Sequence, residues 1–160
     1  MGASCYDVIA GPHFMYQIFL NSDAISPIII LVVISFPDSE YWKFQNQVPS
    51  PGYPKFISEG FEGIPSNVDA TFVWSGNGKI YFFKDEQYWK FDPSRKPAVQ
   101  SVYPRNLTSW DLPSNIDGAV QWSDNQTYFF KGSQYYKFND QQFAVEPGYS
   151  CLEQFRLALD

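Results

Sequence analysis

The hydrophobic positions of this chain fall into short, aromatic-rich runs separated by polar turns, and the order of these runs repeats. The run Tyr81-Phe-Phe-Lys84 returns as Tyr128-Phe-Phe-Lys131, 47 positions later. Asp69, which precedes the first of these runs, returns as Asp117, 48 positions later. A fixed period in this range is typical of repeat architectures, in which similar units stack on one another. We therefore expect an array of units that binds a partner, and any catalytic chemistry has to be sought separately.

The unit from 67 to 114 predicts four short antiparallel strands. Its apolar and aromatic runs place these strands at 68–74, at 79–84, at 87–91 and near 99–102. The pair Asn77-Gly78 predicts a tight hairpin turn between the first two strands. The segment 103–110 predicts a short helix or turn. Four such strands, repeated radially, are typical of a propeller blade.

Neighbouring stretches of the chain predict further units of the same kind. Residues 115–160 form the next unit, which has an atypical tail. Residues 21–66 form a degenerate unit, because Tyr41-Trp-Lys-Phe44 matches the third strand whereas the apolar run 28–34 replaces the polar turn and the aromatic residues upstream. Residues 1–20 carry no clear repeat and are either unassigned or the remnant of a first unit.

Composition and charge narrow the possible function classes. Aromatic residues make up 19% of the chain, which suits short β-strands. The formal net charge is −6, with 11 basic against 17 acidic residues and no basic block, so no nucleic-acid partner is expected. The apolar run Ile28–Ile34 is shorter than the roughly 20 residues that a membrane helix needs. We therefore expect a buried strand there and no transmembrane segment in this chain.

Four motifs carry a resemblance to a known family. They are Val68-Asp-Ala70, Tyr81-Phe-Phe-Lys84, Tyr88-Trp-Lys-Phe91 and Pro51-Gly-Tyr-Pro54. At this period they resemble the hemopexin repeat, and the chain is most similar to the C-terminal propeller of matrix metalloproteinases. The resemblance implies an all-β fold, namely an incomplete four-bladed β-propeller with four short antiparallel strands in each blade and a short helix at the blade ends.

The resemblance also implies a binding function outside the cell. It implies a domain that recognises substrates or inhibitors beside a zinc metalloendopeptidase domain, with partners such as collagen and other matrix proteins, metalloproteinase inhibitors, or a second copy of the chain. The chain has one histidine, His13, and lacks the His-Glu-x-x-His pattern, so we expect any zinc to lie in a catalytic domain outside these residues. The alternatives are a stand-alone extracellular adhesion or scavenging module, and an open array that closes only by dimerising.

The same resemblance implies a calcium ion in a central channel. The matching positions are Asp69, Asp117 and Asp23, with Asp7 a poorer fourth. Oxygen atoms from symmetric blades converge in such a channel, and calcium takes roughly six to eight oxygen ligands. The alternative is that each aspartate only accepts hydrogen bonds from neighbouring backbone groups and holds its own blade in place.

Four further residues are candidates for covalent modification. In the family that the chain resembles, a cysteine before the first blade pairs with one at the end of the last, and Cys5 and Cys151 are the candidates for that disulfide. The sequons Asn106-Leu-Thr108 and Asn125-Gln-Thr127 are glycan acceptors if the chain is secreted.

We expect the aromatic strands mainly to form the core, and only their solvent-facing residues to form a binding surface. Alternate residues pack between units, and the solvent-facing ones join four lysines in a candidate protein-binding rim. These lysines are Lys84, Lys90, Lys131 and Lys137.

Overall fold

Three antiparallel sheets follow one another along the chain in a computed structural model that describes residues 18–22, 28–35, 39–45, 48–74, 76–121, 126–142, 144–147 and 150–151. The first sheet contains β1 (Ile18–Ser22), β2 (Ile28–Ser35), β3 (Glu40–Gln45), β4 (Val48–Pro49) and β5 (Lys55–Phe56). The second contains β6 (Ala70–Trp74), β7 (Lys79–Lys84), β8 (Gln87–Phe91) and β9 (Arg105–Asn106). The third contains β10 (Gly118–Gln121), β11 (Thr127–Lys131), β12 (Gln134–Asn139), β13 (Ala144–Val145) and β14 (Ser150–Cys151). Helix α1 (Ile57–Gly60) and a 3₁₀ turn at Leu107–Trp110 complete the described elements, and the all-β prediction is confirmed.

The first strand of each sheet lies at the centre of the molecule. Strand β6 contacts both β1 and β10, which are the first strands of the sheets on either side. The next two strands each pair with the one before, and the short outer strands pair with the third strand, so the sheets extend outward from this shared centre. This arrangement is the one expected of propeller blades.

The strands of the second sheet match the sequence prediction except at the start of β6, which begins at Ala70 rather than at residue 68, and at the outer edge. Strands β7 and β8 begin and end where the pattern placed them. The fourth strand predicted near 99–102 was wrong, because Val99 forms only an isolated bridge with Phe91 and the outer strand is Arg105–Asn106. The Tyr103 amide donates to the Gln100 carbonyl at 3.0 Å, so the chain turns before it can pair further.

The apolar run near the start of the chain is a strand, as predicted. Strand β2 lies between β1 and β3 and pairs with both in antiparallel register, with Leu31 opposite Phe19 on one side and Phe44 on the other. Among the described residues, no helix is both long enough and apolar enough to cross a membrane.

Side chains of the second sheet are buried on both faces. Successive residues of a strand point to opposite sides. In β7, Tyr81 and Phe83 enter a core shared with the third sheet. Ile80 and Phe82 enter a second core, which is shared with the first sheet. Packing of alternate residues between units is therefore confirmed for this strand.

Each short helical turn brings an aromatic residue between two sheets. Phe61 follows α1 and lies 5.0 Å from Tyr41 of the first sheet and 5.1 Å from Phe82 of the second, measured between ring centroids. Trp110 ends the 3₁₀ turn and is 1% exposed, between the second and third sheets. The helix or turn predicted over 103–110 is thus a 3₁₀ turn that places a core residue.

Several predictions stay open. The remnant unit expected within 1–20 falls almost entirely outside the described residues, and so does the atypical tail beyond residue 151. The unit boundaries at 21–66, 67–114 and 115–160 stay predictions.

Candidate functional site

The two described aspartates of the predicted calcium site occupy equivalent positions in adjacent sheets. Asp69 precedes β6, and its amide donates to the Phe83 carbonyl at 2.7 Å. Asp117 precedes β10, and its amide donates to the Phe130 carbonyl at 2.8 Å. Each residue therefore continues the pairing between the first and second strands of its own sheet.

Each of these carboxylates also holds the turn that joins the second and third strands of its own sheet. Oδ2 of Asp69 accepts a hydrogen bond from the Asp85 amide at 2.6 Å. Oδ2 of Asp117 accepts one from the Gly132 amide at 2.5 Å. The structural role that the sequence left open is therefore present at both positions.

The two aspartates also act on each other electrostatically. Burial raises the pKa of the Asp69 carboxyl above its usual range, against the hydrogen bond from the Asp85 amide. The negative charges of Asp85 and Asp117 add to this rise in pKa, and Lys84 opposes it. The carboxylates of adjacent sheets therefore share one region, although the described residues contain no cluster of three or more metal-binding side chains. Asp23 and Asp7 lie outside the described residues, and the calcium site stays a prediction.

Two of the four lysines predicted to form a rim instead hold the chain between sheets. Nζ of Lys84 donates to the Ser66 carbonyl at 2.8 Å, and Nζ of Lys131 donates to the Ser114 carbonyl at 2.5 Å. Both lysines end the second strand of a sheet and reach back to the segment that leads into that sheet. They belong to the same repeated framework as the aspartates.

The other two lysines lie in the third strands of their sheets, Lys90 in β8 and Lys137 in β12. Nζ of Lys137 lies 3.7 Å from Oε2 of Glu146, so an acidic neighbour offsets its charge. Nζ of Lys90 lies 5.8 Å from the centre of the Tyr103 ring. For Lys90 and Lys137 the protein-binding rim stays a prediction.

The outer edge of the first sheet exposes apolar side chains. Val48 of β4 is 64% exposed and Phe56 of β5 is 53% exposed. Both strands pair with β3, with Val48 opposite Gln45 and Phe56 opposite Glu40. Exposed apolar side chains beside charged ones are suited to protein docking. Sequence reasoning missed this edge, because apolar runs alone do not tell which members stay outside the core.

Among the candidates for modification, the structure describes one acceptor side chain. Asn106 is exposed at the start of the 3₁₀ turn, and its Oδ1 accepts a hydrogen bond from the Thr108 amide at 2.9 Å. Cys151 lies in β14, and its backbone is opposite Gln134 of β12. Asn125 and Cys5 lie outside the described residues. Glycosylation and the disulfide stay predictions.

Comparison with known proteins defines the family. The Hemopexin family profile matches residues 36–66, 68–114 and 116–151, so this chain belongs to the hemopexin family. It is 36% identical over 115 residues to Matrix metalloproteinase-2 of Drosophila melanogaster, covering 71% of this chain and 15% of that protein. It is 39% identical over 79 residues to Vitronectin of Oryctolagus cuniculus, covering 46% of this chain and 17% of that protein. The chain thus spans less than a fifth of the length of each of these two relatives.

Solved structures agree on the fold. A hemopexin-fold protein from cow pea superposes with a TM-score of 0.62 at 17% identity, covering 78% of this chain and 64% of that one. A plant lectin with two metal-binding sites from Cicer arietinum superposes with a TM-score of 0.61 at 15% identity, covering 83% and 66%. At such identities the likeness concerns the hemopexin fold alone.

Proposed function

We propose that this chain is an extracellular, non-catalytic recognition domain that docks matrix proteins or protease inhibitors beside a zinc metalloendopeptidase domain of the same protein. The observation that carries the proposal is the side chain of Phe56, which is 53% exposed at the outer edge of the first sheet. Similarity to a matrix metalloproteinase supports the pairing with a protease and the location outside the cell.

The docking surface consists of Phe56 and the preceding Tyr53-Pro54-Lys55 segment. Nζ of Lys55 lies 5.4 Å from the centre of the Tyr53 ring, so a cation and an aromatic ring lie next to Phe56 in the chain. Protein interfaces concentrate their binding energy in a few apolar or aromatic anchors surrounded by polar groups. Phe56 is the anchor we propose, because it is the largest apolar side chain exposed on this edge.

Surface plasmon resonance tests the proposal. Collagen and a metalloproteinase inhibitor are immobilised in turn, and the chain is passed over each. Phe56→Ser should weaken binding to at least one of them by about tenfold, as expected for loss of an anchor worth about 1.4 kcal/mol. Val102→Ser is the matched control, because Val102 is also 53% exposed but lies beyond the second sheet. Equal binding by the parent and Phe56→Ser, or no binding to either protein, would overturn the docking proposal.

A second candidate function is a stand-alone extracellular binding module. The similarity to vitronectin, at 39% identity over 79 residues, favours it. Mass spectrometry of the native protein separates the two candidates. Peptides that join a His-Glu-x-x-His segment to the N-terminal side of residue 36 support the protease tail, whereas a native product without such a segment supports the stand-alone module.

Calcium and self-association belong to the same proposal. The carboxylates of Asp69 and Asp117 supply the hard oxygen atoms that calcium prefers, and the negative charge that Asp117 adds at Asp69 favours a nearby cation. Asp23 is the third ligand implied by the repeat.

Closure of the array by a second copy predicts a dimer, which sedimentation analysis would detect.

A further inference from the structure

The turn between β6 and β7 contains Asn77-Gly78, the only asparagine–glycine pair in the sequence. It lies in the loop that joins Trp74 to Lys79, and these two residues are paired where the hairpin enters the loop. Asn77 and Gly78 are both exposed, and a Cβ atom at Gly78 would meet no atom within 4 Å. Water therefore reaches this turn, and the glycine places no side chain beside its own amide nitrogen.

An asparagine followed by glycine can lose its side-chain amide group without an enzyme. The backbone nitrogen of Gly78 attacks Cγ of Asn77 and gives up its proton to water. The bond from Cγ to Nδ2 breaks, and Nδ2 takes up a proton and leaves as ammonia. The cyclic imide that results then takes up a water molecule and opens at either carbonyl, to aspartate or to isoaspartate. The net reaction consumes water, releases ammonia and needs no oxidant or cofactor.

In the folded turn, each of the reacting groups is held by a hydrogen bond. The Gly78 amide donates to the Trp74 carbonyl at 2.7 Å. Oδ1 of Asn77 accepts from the Lys79 amide at 2.9 Å, and Nδ2 donates to the Tyr81 hydroxyl at 2.8 Å. Moving the side-chain amide onto the Gly78 nitrogen would disturb both of its hydrogen bonds. We therefore expect the closed turn to protect Asn77 from this reaction.

Tyr81 ties the exposed turn to the core. Its side chain is 4% exposed, and its ring meets those of Trp74 and Trp110 edge to face, at 6.0 and 5.4 Å between centroids. Burial raises the pKa of its hydroxyl to about 12, so the hydroxyl stays neutral at physiological pH. The hydrogen bond from Nδ2 of Asn77 should therefore open only when the hairpin opens locally.

The isoaspartate product does not fit the closed loop. Its main chain runs through the side-chain carbon, which adds a CH2 group to a loop whose ends are paired at Trp74 and Lys79. The backbone of Gly76 already lies against the Trp74 indole, because a Cβ atom there would be 2.7 Å from it. Trp74 packs against the core shared by the second and third sheets. A longer loop should therefore displace Trp74 and weaken the contact between these sheets.

The third unit does not repeat this reactive pair. Its corresponding turn reads Ser123-Asp-Asn-Gln126, in which a glutamine follows the asparagine. Asn139 resembles Asn77 in one respect, since its Oδ1 accepts hydrogen bonds from the amides of Gln141 and Gln142 at 3.0 and 2.9 Å. The residue after Asn139 is an aspartate, whose side chain restricts the close approach that glycine permits. The pair is thus particular to the second sheet.

We propose that Asn77 is a site of spontaneous deamidation and that its hairpin controls the reaction, which is slow while the turn is closed and proceeds when Asn77 separates from Tyr81. The modification is then an irreversible record of hairpin opening, and isoaspartate at this position keeps the hairpin from closing again. The proposal concerns the second sheet and is independent of the docking surface proposed for the first.

Peptide mapping by mass spectrometry during storage at neutral pH and body temperature tests the site. The peptide that contains Asn77 should gain the mass expected for replacement of NH2 by OH, and an isoaspartyl methyltransferase should methylate part of it. Unfolding in urea should accelerate the reaction by about tenfold or more, because a reaction through an open state follows the population of that state. The Asn139 peptide should stay unmodified over the same time.

Tyr81→Phe isolates the role of the hydrogen bond. In the folded protein it should accelerate deamidation of Asn77 by about three- to tenfold, as expected for one lost hydrogen bond. Tyr128→Phe is the matched control, because Tyr128 is buried at the equivalent position of the third sheet. It should react within about twofold of the parent, since its hydroxyl belongs to another hairpin. Circular dichroism confirms that both variants are folded.

The comparison of folded and urea-unfolded parent protein does not depend on either variant. The proposal is overturned if Asn77 stays unmodified even in urea, or if folded and unfolded parent react at the same rate. It is also overturned if folded Tyr81→Phe reacts no faster than the parent, or if Tyr128→Phe accelerates the reaction as much as Tyr81→Phe does.

Discussion

The indole of Trp110 stacks on the ring of Phe138, with ring centroids 5.1 Å apart and planes inclined by 29°. Trp110 belongs to the turn that closes the second sheet, and Phe138 belongs to β12 of the third. The same indole lies 5.0 Å from Tyr88 of the second sheet. One residue therefore holds two sheets together, and its loss would affect both.

Trp110→Ala should destabilise the protein by about 3–5 kcal/mol, because a fully buried aromatic side chain is lost and the cavity lies between two sheets. Trp110→Phe should cost less, since it keeps a ring in the same space. Urea unfolding followed by circular dichroism measures both free energies. A cost for Trp110→Ala below about 1 kcal/mol, as at an exposed site, would contradict the role assigned to this residue.

The sheets could be predicted from the sequence because two independent signals agree there. Aromatic alternation places Tyr81 and Phe83 on one face of β7, and the repeat shows the same order again at Tyr128 and Phe130. The outer edge could not be placed in the same way. At 99–102 the apolar pattern suggested a strand, but a turn from Gln100 to Tyr103 directs the chain elsewhere, and the pairing shifts to Arg105–Asn106.

Asp92 should make the stability of the protein depend on pH in acid. Hydrogen bonds from Lys79 and Ser94 lower the pKa of its carboxyl to about 2, from an ordinary value of 3.8. A carboxyl with a lowered pKa in the folded state stabilises the protein fully above its unfolded pKa. That contribution should be lost as the pH falls from about 4 toward 2. Urea midpoints measured across this range should therefore decline.

Asp92→Asn isolates this effect from general acid denaturation. The variant should be about 1–2 kcal/mol less stable than the parent at neutral pH, because charge-assisted hydrogen bonds are lost. The difference should shrink as the pH approaches 2, where about half of the parent Asp92 carboxyl groups are also protonated. Glu86→Gln is the control, since Glu86 is exposed. A gap between Asp92→Asn and the parent that stays constant from neutral to acid pH would count against this assignment.

Gly60 should not tolerate a side chain. A Cβ atom at this position would overlap the phenol oxygen and ring of Tyr41, which is buried in the core shared by the first two sheets. Gly60→Ala should therefore cost about 1–3 kcal/mol through overpacking. Adding Tyr41→Phe should recover part of this loss, because the nearest atom is removed. Ser58→Ala, at an exposed position of the same helix, provides the control in thermal unfolding.

The candidate sites were less predictable than the fold. The repeat located Asp69 and Asp117 correctly as equivalent residues, because one spacing governs the whole unit. The repeat could not show that both carboxylates accept hydrogen bonds from backbone amides 15–16 positions later in the chain. That contact depends on how the hairpin between the second and third strands folds back.

The hydrogen bonds of Asp69 and Asp117 predict different costs for removing each carboxylate. Asp69 is half-buried, so Asp69→Ala should leave the Asp85 amide poorly satisfied and cost about 1–3 kcal/mol. Asp117 is exposed, and water can replace its carboxylate, so Asp117→Ala should cost about 1 kcal/mol or less. Chemical unfolding in the presence of a calcium chelator measures both costs without any contribution from the metal. A larger cost at Asp117 would contradict the ranking.

Calcium addition tests the second role of the same residues. If calcium binds between the carboxylates, saturating metal should stabilise the folded chain by about 2.7 kcal/mol at a concentration of 100 times its dissociation constant. Asp69→Asn keeps an oxygen that can accept the Asp85 amide but removes the charge, so it should abolish most of the calcium response while leaving the chelated protein close to the parent. Asp111→Asn is the control, because Asp111 is an exposed aspartate with a φ of 54° that asparagine adopts readily. Thermal unfolding with and without calcium decides the matter: an identical transition for the parent in both conditions would leave the aspartates with their turn-holding role alone.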